Sequence, residues 1–373
     1  MQIFAVTAPG IESILQKELA ELGLKTAKRI TGGVEAKGKI DDVWKANLWS
    51  RTANRILVRV DEFHASSFHE LERRAKKVEW SRYLTKGSPA RFRVTCRKSR
   101  LYHSDAVAER FENVLKEQLG AKIADRNADE ESESDAQLFI VRLSDDICTV
   151  SADSSGDLLH RRGYRQAVAK APLRETLAAA MLIGSAWDKT SPLVDPMCGS
   201  GTIAIEGAMM ARNIAPGARR KFAFEKWPGH DPVAWNRLVQ EAISGEKERS
   251  EARIMASDRD AGAVTATKSN AERAGVANEI EVSELALSNA VLSDEPGWIV
   301  TNPPYGLRVG DAAPLRNLYA RLGKILTERA SGYLLALLSA DRKLDAQLGL
   351  ELREVFRTTN GGIPVRLVIG QKK

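Results

Sequence analysis

The sequence predicts an α/β protein with a doubly wound sheet in its carboxy-terminal half and smaller α+β domains before it. Helical and strand-like segments alternate from about 171 to 373, which is typical of a sheet covered by helices on both faces. Residues 1–60 follow a strand, helix, strand, helix, strand order, which favours helices on one face of an antiparallel sheet. A chain of 373 residues has room for two or three such domains.

Composition and charge narrow the class of protein. Apolar types make up 43% of the chain and charged types 28%, which is typical of a globular protein and excludes a disordered, collagen-like or coiled-coil chain. The longest apolar run, 333–340, is far below the roughly 20 residues of a membrane span. The first residues are expected to form a strand rather than a signal peptide. The net charge of +7 mildly favours a polyanionic partner.

Cysteine and histidine usage predicts no metal site. The three cysteines are widely spaced, with no Cys-x-x-Cys pair and no histidine cluster, so neither zinc nor a disulfide framework is expected. This usage fits a reducing cytoplasm.

Short apolar patterns define the elements of 1–60. We expect strands at 2–7, 34–40 and 55–60 and helices at 10–22 and from 41 onwards. Gly23 is expected to end the first helix, and Asp41 to cap the second.

A basic strand marks the second segment, 61–155. Between a helix at 67–77 and another at 104–119, apolar Phe92 and Val94 alternate with basic residues, so one face should be basic. The basic residues are Arg91, Arg93, Arg97, Lys98 and Arg100. An acidic run at 124–135 is predicted to be a solvated, mobile loop, and strands at 137–143 and 147–153 follow.

The remaining chain comprises a connector, 156–170, and a larger domain, 171–373. The connector carries Arg161, Arg162 and Arg165, which could extend the basic track towards the larger domain. In that domain we expect helices at 173–185, 201–212 and 312–330, strands at 192–195, 252–257, 279–282, 297–301 and 332–338, and a terminal strand pair divided by a turn at 360–362. The role of the stretch 213–250 stays open.

A strand that ends in Asp195 leads into a glycine turn and then a helix. Gly199 and Gly201 allow backbone N–H groups to approach a ligand closely. A P-loop would need a lysine after the turn, and a nicotinamide site an acid about 20 residues on, so S-adenosylmethionine fits best. Asp258 would then accept the ribose hydroxyls, and Glu284 the adenine amino group. The predicted cofactor residues are Asp195, Pro196, Cys198, Gly199, Ser200, Gly201, Thr202, Asp258 and Glu284.

The second motif, Asn302-Pro303-Pro304-Tyr305, follows another strand of the same domain. Two prolines remove two N–H donors, which leaves an acceptor-rich surface suited to an exocyclic amine. The Asn302 side-chain oxygen and the Pro303 carbonyl could accept both amine hydrogens and aim the nitrogen lone pair at a methyl group. Tyr305 offers a ring on which a flipped base can stack. These four residues are the predicted catalytic set.

Cys198 admits another interpretation, a nucleophile that adds to a pyrimidine. It lies inside the glycine turn and has no second catalytic cysteine, so packing is the favoured role.

These motifs resemble those of guanine-N2 RNA methyltransferases that carry an amino-terminal THUMP domain. The resemblance rests on 195–202 and 302–306 and extends to 46–55, 159–165 and 171–177. It implies a ferredoxin-like domain at 1–60, a THUMP RNA-binding domain at 61–155, and a Rossmann-fold class I methyltransferase domain at 171–373. The sequence is most similar to single-catalytic-domain 23S rRNA enzymes, with tRNA relatives close behind. It departs from the family at Glu284, where relatives more often have Asp.

The sequence therefore predicts a cytoplasmic methyltransferase that uses S-adenosylmethionine and places a methyl group on guanine N2, in 23S rRNA or its ribosomal precursor. The alternatives are methylation of a tRNA guanosine, methylation of adenine N6 in RNA, and an RNA-binding or assembly factor with a vestigial cofactor site. Arg91, Arg93, Arg97, Lys98 and Arg100, with Arg161, Arg162 and Arg165, are expected to contact RNA phosphates.

Overall fold

The computed structural model describes residues 1–125, 135–166, 173–305, 312–330 and 332–371. Most of the predicted acidic loop (126–134), the end of the connector, the first residues of the larger predicted domain (171–172) and Gly306 lie outside the described residues. The chain forms two compact units that interleave in sequence. The first comprises 1–7, 16–159 and 220–239, and the second 8–15, 160–219 and 240–373.

One eight-stranded sheet forms the first unit. Its strands are β1 (Gln2–Val6), β2 (Lys25–Ile30), β3 (Gly33–Lys37), β4 (Arg55–His64), β5 (Pro89–Arg97), β6 (Lys122–Ile123), β7 (Gln137–Ser144) and β8 (Ile147–Asp153). Their spatial order is β2-β3-β1-β4-β8-β7-β5-β6, with β5 parallel to both neighbours and every other pair antiparallel. Because β4 pairs with β8, the sheet runs without interruption through the two predicted amino-terminal domains.

An aromatic cluster forms part of the core of this unit. Trp80 is almost fully buried, and its ring centroid lies 5.0–6.0 Å from those of Phe92, Phe111 and Phe139.

The helices of the first half of the chain are α1 (Glu12–Glu21), α2 (Ile40–Trp49), α3 (Phe68–Ala75) and α4 (Ser104–Leu119).

The second unit is a doubly wound sheet, as the alternating pattern predicts. Its strands are β9 (Leu193–Asp195), β10 (Ile254–Asp258), β11 (Ile280–Glu284), β12 (Trp298–Thr301), β13 (Leu334–Ser339), β14 (Arg353–Asn360) and β15 (Ile363–Gln371), in the order β11-β10-β9-β12-β13-β15-β14. The first five strands in that order are parallel, and β15 is antiparallel to both of its neighbours.

Helices cover both faces of this sheet and bury two separate apolar cores. The helices of the second half of the chain are α5 (Glu175–Gly184), α6 (Thr202–Ala211), α7 (Pro232–Ser244), α8 (Ala261–Ala274), α9 (Ala312–Glu328) and α10 (Arg342–Asp345), with α7 divided between the units. Short 3₁₀ turns occur at Trp80–Arg82, Ala223–Lys226, Ala277–Glu279, Leu287–Asn289 and Ala346–Leu348. Among the described residues, no helix combines the length and apolar character that a membrane crossing requires.

Strand β9 is the point at which the strand order reverses. It pairs with β10 on one side and with β12 on the other, while the chain visits β10 and β11 before it returns to β12. Ligands of doubly wound folds bind at the carboxyl ends of strands at such a point.

Some local predictions are wrong. Lys39, not Asp41, is the N-cap of α2, because the Asp42 side chain accepts a 2.7 Å hydrogen bond from the Lys39 N–H. Strand β2 and helices α7 and α8 were not predicted. For α8 a local signal exists, since the Asp260 side chain accepts from the Gly262 and Ala263 N–H groups at the start of the helix.

Candidate active site

The two sequence motifs meet at the carboxyl ends of the adjacent strands β9 and β12, around a cavity of about 590 Å³. This volume is within the range of small-molecule sites. The predicted residues that line it are Asp195, Cys198, Gly199, Ser200, Thr202, Asn302, Pro303, Pro304 and Tyr305. The cavity wall does not include the other four predicted cofactor residues, which are Pro196, Gly201, Asp258 and Glu284.

Asp195 ties the two strands together. Its carboxylate is 2% exposed and accepts a 2.8 Å hydrogen bond from the Thr301 hydroxyl and a 3.3 Å bond from the Met197 N–H. Burial raises the pKa of Asp195 to about 7, although the bond from Thr301 opposes the shift. The sequence did not identify Thr301 as a partner.

Two glycines with positive φ form the glycine turn, and side chains of α8 hold it through hydrogen bonds. Gly199 and Gly201 have φ values of +54° and +81°, which favour glycine. The Thr267 hydroxyl donates to the Gly199 carbonyl at 2.9 Å, and the Asn270 amide donates to the Ser200 carbonyl at 3.0 Å. Helix α6 begins directly after the turn, so its N-terminus is close to the cavity.

Asp258 and Glu284 are neighbours at the ends of β10 and β11, where they are register partners. The two Asp258 carboxylate oxygens accept hydrogen bonds from the Gly199 N–H at 3.0 Å and the Asp260 N–H at 3.1 Å. A carboxylate has about four acceptor positions, so capacity for two hydroxyl groups remains. Glu284 is exposed. The ribose and adenine roles of these residues stay predictions.

Asn302 carries an unsatisfied acceptor. Its Oδ1 atom is buried and has no hydrogen-bond partner among the described residues. A buried oxygen without a partner costs about 1–3 kcal/mol, so it favours a ligand that donates a hydrogen bond. The following prolines contribute no N–H to meet that need.

Tyr305, the last residue of the motif, is hydrogen-bonded to the β14–β15 hairpin. Its hydroxyl accepts a 2.6 Å hydrogen bond from the Asn360 side-chain amide, and burial raises the pKa of the phenol. Asn360 and Gly361 belong to the β14–β15 turn and line the same cavity. Sequence reasoning recognised 360–362 as a turn but not as part of the site.

Cys198 does not have the environment of a nucleophile. The side chain is 7% exposed, and its Sγ lies 3.6 Å from the Thr267 hydroxyl oxygen. Burial and, to a lesser extent, the neighbouring Asp195 carboxylate raise the pKa of the thiol, which disfavours the thiolate.

The predicted basic face of β5 is open only in part. Arg97, Lys98 and Arg100 are exposed. The expectation of an exposed basic side chain is wrong at Arg91, which is only 6% exposed. Arg93 is half-buried. Burial lowers the pKa of both arginines.

The basic track expected at 161–165 is also interrupted. Arg162 is 8% exposed, and its Nε lies 3.4 Å from Glu206 Oε1. Arg165 donates to the Leu173 carbonyl at 2.6 Å and to Glu175 at 3.0 Å. These contacts within the second unit engage both guanidinium groups and disfavour phosphate contact by Arg162 and Arg165, which stays an untested prediction. Arg161 is half-buried.

S-adenosylmethionine fits the residues present. The glycine turn and the N-terminus of α6 suit its carboxylate, and the paired acids at the ends of β10 and β11 suit hydroxyl and amino groups. The unsatisfied Asn302 oxygen provides an acceptor in the wall of the same cavity.

Comparison with known proteins agrees with this geometry. The family model described as "RMKL-like, methyltransferase domain" matches residues 162–369, and that described as "RlmL ferredoxin-like domain" matches residues 2–57. The matched ranges leave the THUMP assignment of 61–155 a prediction.

Two relatives align with almost the whole chain. A Synechocystis sp. protein that is provisionally named an RNA methyltransferase is 33% identical to this chain. The alignment covers 98% of this chain and 95% of the Synechocystis protein. A ribosomal RNA large subunit methyltransferase K/L of Methylococcus capsulatus is 35% identical, over 98% of this chain and 50% of its own. The chain thus spans about half the length of the K/L relatives.

Solved structures share the fold. A provisionally assigned methyltransferase in complex with SAH superposes with a TM-score of 0.87 at 30% identity, over 100% of this chain and 98% of the other. A Listeria monocytogenes protein named as a predicted N6-adenine-specific DNA methylase gives 0.85 at 30% identity, over 98% of this chain and 95% of the other. The chain therefore belongs to the RMKL-like methyltransferase family, with S-adenosylmethionine as its cofactor.

Proposed function

We propose that this protein transfers a methyl group from S-adenosylmethionine to the exocyclic N2 of a guanine in 23S rRNA. The observation that carries the proposal is the buried Asn302 oxygen without a partner among the described residues, in the wall of the same cavity as the glycine turn. The names of the relatives support an RNA substrate, and those of the K/L group support large-subunit rRNA.

The chain's own residues account for the chemistry. Asn302 Oδ1 and the Pro303 carbonyl accept the two amine hydrogens, which makes the nitrogen more tetrahedral and orients its lone pair. The bound cofactor supplies an activated methyl group. Tyr305 stacks on the base, and its ring is held by the bond from Asn360. Positioning and desolvation of the amine supply most of the acceleration, and the proton that the methylated amine loses is released to solvent, so no general base is required.

The first unit is proposed to hold the RNA. Under this proposal, 1–60 is the ferredoxin-like domain, 61–155 is a THUMP domain, and the exposed Arg97, Lys98 and Arg100 bind phosphates. The larger domain, 171–373, carries the chemistry, and the protein acts in the cytoplasm.

Mass spectrometry of nucleosides tests the substrate. In a strain that lacks the gene, N2-methylguanosine from purified 23S rRNA should fall by one residue per molecule, and plasmid expression should restore it. A loss from tRNA instead would assign the tRNA alternative. A loss of N6-methyladenosine from RNA would assign the adenine alternative and reject the guanine proposal.

Replacing Asn302 with Ala tests the mechanism. We expect Asn302→Ala to lower kcat by at least about 100-fold, because one of two aligned acceptors is lost. Cofactor affinity, measured by calorimetry, should stay within a factor of about three, as expected for a loss confined to the transition state. A parallel loss of cofactor affinity would mean that Asn302 shapes the fold of the site rather than the reaction.

A further inference from the structure

Asn360 is placed firmly at the wall of the active-site cavity. It is the last residue of β14 and is paired in register with Ile363, the first residue of β15. Only Gly361 and Gly362 separate them, with φ values of +56° and +82°. Two-residue turns of this kind join strands tightly. The position of Asn360 is therefore set by a hairpin and not by a long loop.

The side chain of Asn360 is fixed but only partly used. One amide hydrogen is donated to the Tyr305 hydroxyl at 2.6 Å, which sets the orientation of the carboxamide. Across the described ranges, the side chain has no other hydrogen bond, and it lines the same cavity as Asn302. A carboxamide offers two donors and one acceptor oxygen, so one N–H and the oxygen remain for a ligand.

The remaining groups match one base. When the N2 amine of guanine is held at Asn302, the rest of its pairing edge presents N1–H, a donor, and O6, an acceptor. Adenine held by its N6 amine presents the N1 acceptor beside it and no ring N–H donor. We propose, on the basis of the proposed function, that Asn360 determines specificity by accepting from guanine N1–H and donating to O6.

A base analogue separates this role from simple packing. The target guanosine is first mapped, and two synthetic RNAs that span it are compared, one with guanine and one with 2-aminopurine at that position. 2-Aminopurine keeps the reacting amine but lacks O6 and N1–H. The wild type should favour guanine in kcat/KM by roughly 10- to 100-fold, the value of a good bidentate contact.

Replacing Asn360 with Ala should abolish that preference. For Asn360→Ala we expect kcat/KM on the guanine RNA to fall to within about threefold of the 2-aminopurine RNA. The 2-aminopurine value itself should fall only as far as it does with Tyr305→Phe, because both variants lose the bond between Asn360 and Tyr305, whereas only guanine also loses a contact to the base. Asn360→Asp is the conservative variant. Its carboxylate can accept from the Tyr305 hydroxyl and from N1–H, but it repels O6, so it should also lose the preference.

Tyr305→Phe is the matched control for the hydrogen bond to Tyr305. It keeps the ring and Asn360, so activity should fall on both RNAs while part of the preference persists. Equal losses on both RNAs with Asn360→Ala, or an unchanged preference, would overturn the inference. An unfolding temperature and cofactor affinity like those of the wild type would show that the variants fold. If the wild type methylates neither RNA, the proposed function fails, and this inference fails with it.

Discussion

At the residue scale, Asp195 shows how a strand end becomes part of a site. Its carboxylate is buried between β9 and β12 and joins them through the Thr301 hydroxyl. A buried carboxylate favours its protonated form, so its pKa rises to about 7. The same burial keeps this group from serving as an ordinary solvated acid.

Asp195 should make stability depend on pH. The pKa of Asp195 is about 7 in the folded protein, above the ordinary value of 3.8. Its contribution to the free energy of unfolding is therefore fully present below pH 3.8 and is lost as the pH rises from there through 7. Between pH 4 and 8, the wild type should lose up to roughly 4 kcal/mol of unfolding free energy relative to Asp195→Asn. Urea unfolding of the apoprotein at both pH values measures the difference. Parallel pH dependence in the two proteins would contradict the assigned pKa.

At the element scale, the turn between β9 and α6 depends on two glycines with different surroundings. A Cβ on Gly201 would lie 2.6 Å from Thr267 Cγ2, whereas a Cβ on Gly199 would meet nothing within 4 Å. Both residues have positive φ. The turn therefore leaves open space at Gly199, which lines the cavity, and packs closely against α8 at Gly201.

Alanine at Gly201 should mainly lower the free energy of unfolding, whereas alanine at Gly199 should mainly lower cofactor affinity. Both substitutions strain the backbone by about 1 kcal/mol, and Gly201→Ala should lose a further 1–3 kcal/mol, approximately, through overpacking against Thr267. Gly199→Ala should instead lower cofactor affinity at least about tenfold, because a methyl group fills space in the site. Thermal unfolding and calorimetry report the two effects. Equal stability losses would refute the close packing at Gly201.

At the scale of the whole molecule, the units are discontinuous in sequence. Residues 220–239, whose role the sequence left open, belong to the first unit. There Phe224 packs against Trp44 and Trp235, with ring centroids 6.0 and 5.0 Å apart, and Trp227 donates to Gln137 at 2.8 Å. This segment therefore completes the core of the first unit.

The open part of the β5 face should govern RNA affinity. Replacing Arg97, Lys98 and Arg100 with Glu should weaken RNA binding and reduce the slope of log Kd against log salt by up to about three, one per phosphate contact. Filter binding from 50 to 200 mM salt measures it. The matched control places the same charge change at Arg73, Arg74 and Lys77, which are exposed on and just after α3. Equal effects of both triples would mean that only net charge matters.

Local pattern alone determined a large part of this protein. Alternation of helix and strand predicted the doubly wound sheet, and the glycine turn and Asn-Pro-Pro-Tyr were placed correctly at strand ends that meet at one cavity. These features are readable because helix, strand and turn conformations depend mainly on neighbouring residues. The preference of Gly199 and Gly201 for positive φ, for example, is intrinsic to glycine.

Only the tertiary structure decided what covers each side chain. Alternation assigned Arg91 to a face but could not show that this face is covered at Arg91, and a basic run could not reveal the pairing of Arg162 with Glu206. Asn360 joins the site because the β14–β15 hairpin brings it to Tyr305 from a distant part of the chain. Burial and long-range hydrogen bonds depend on partners remote in sequence, which no local pattern specifies.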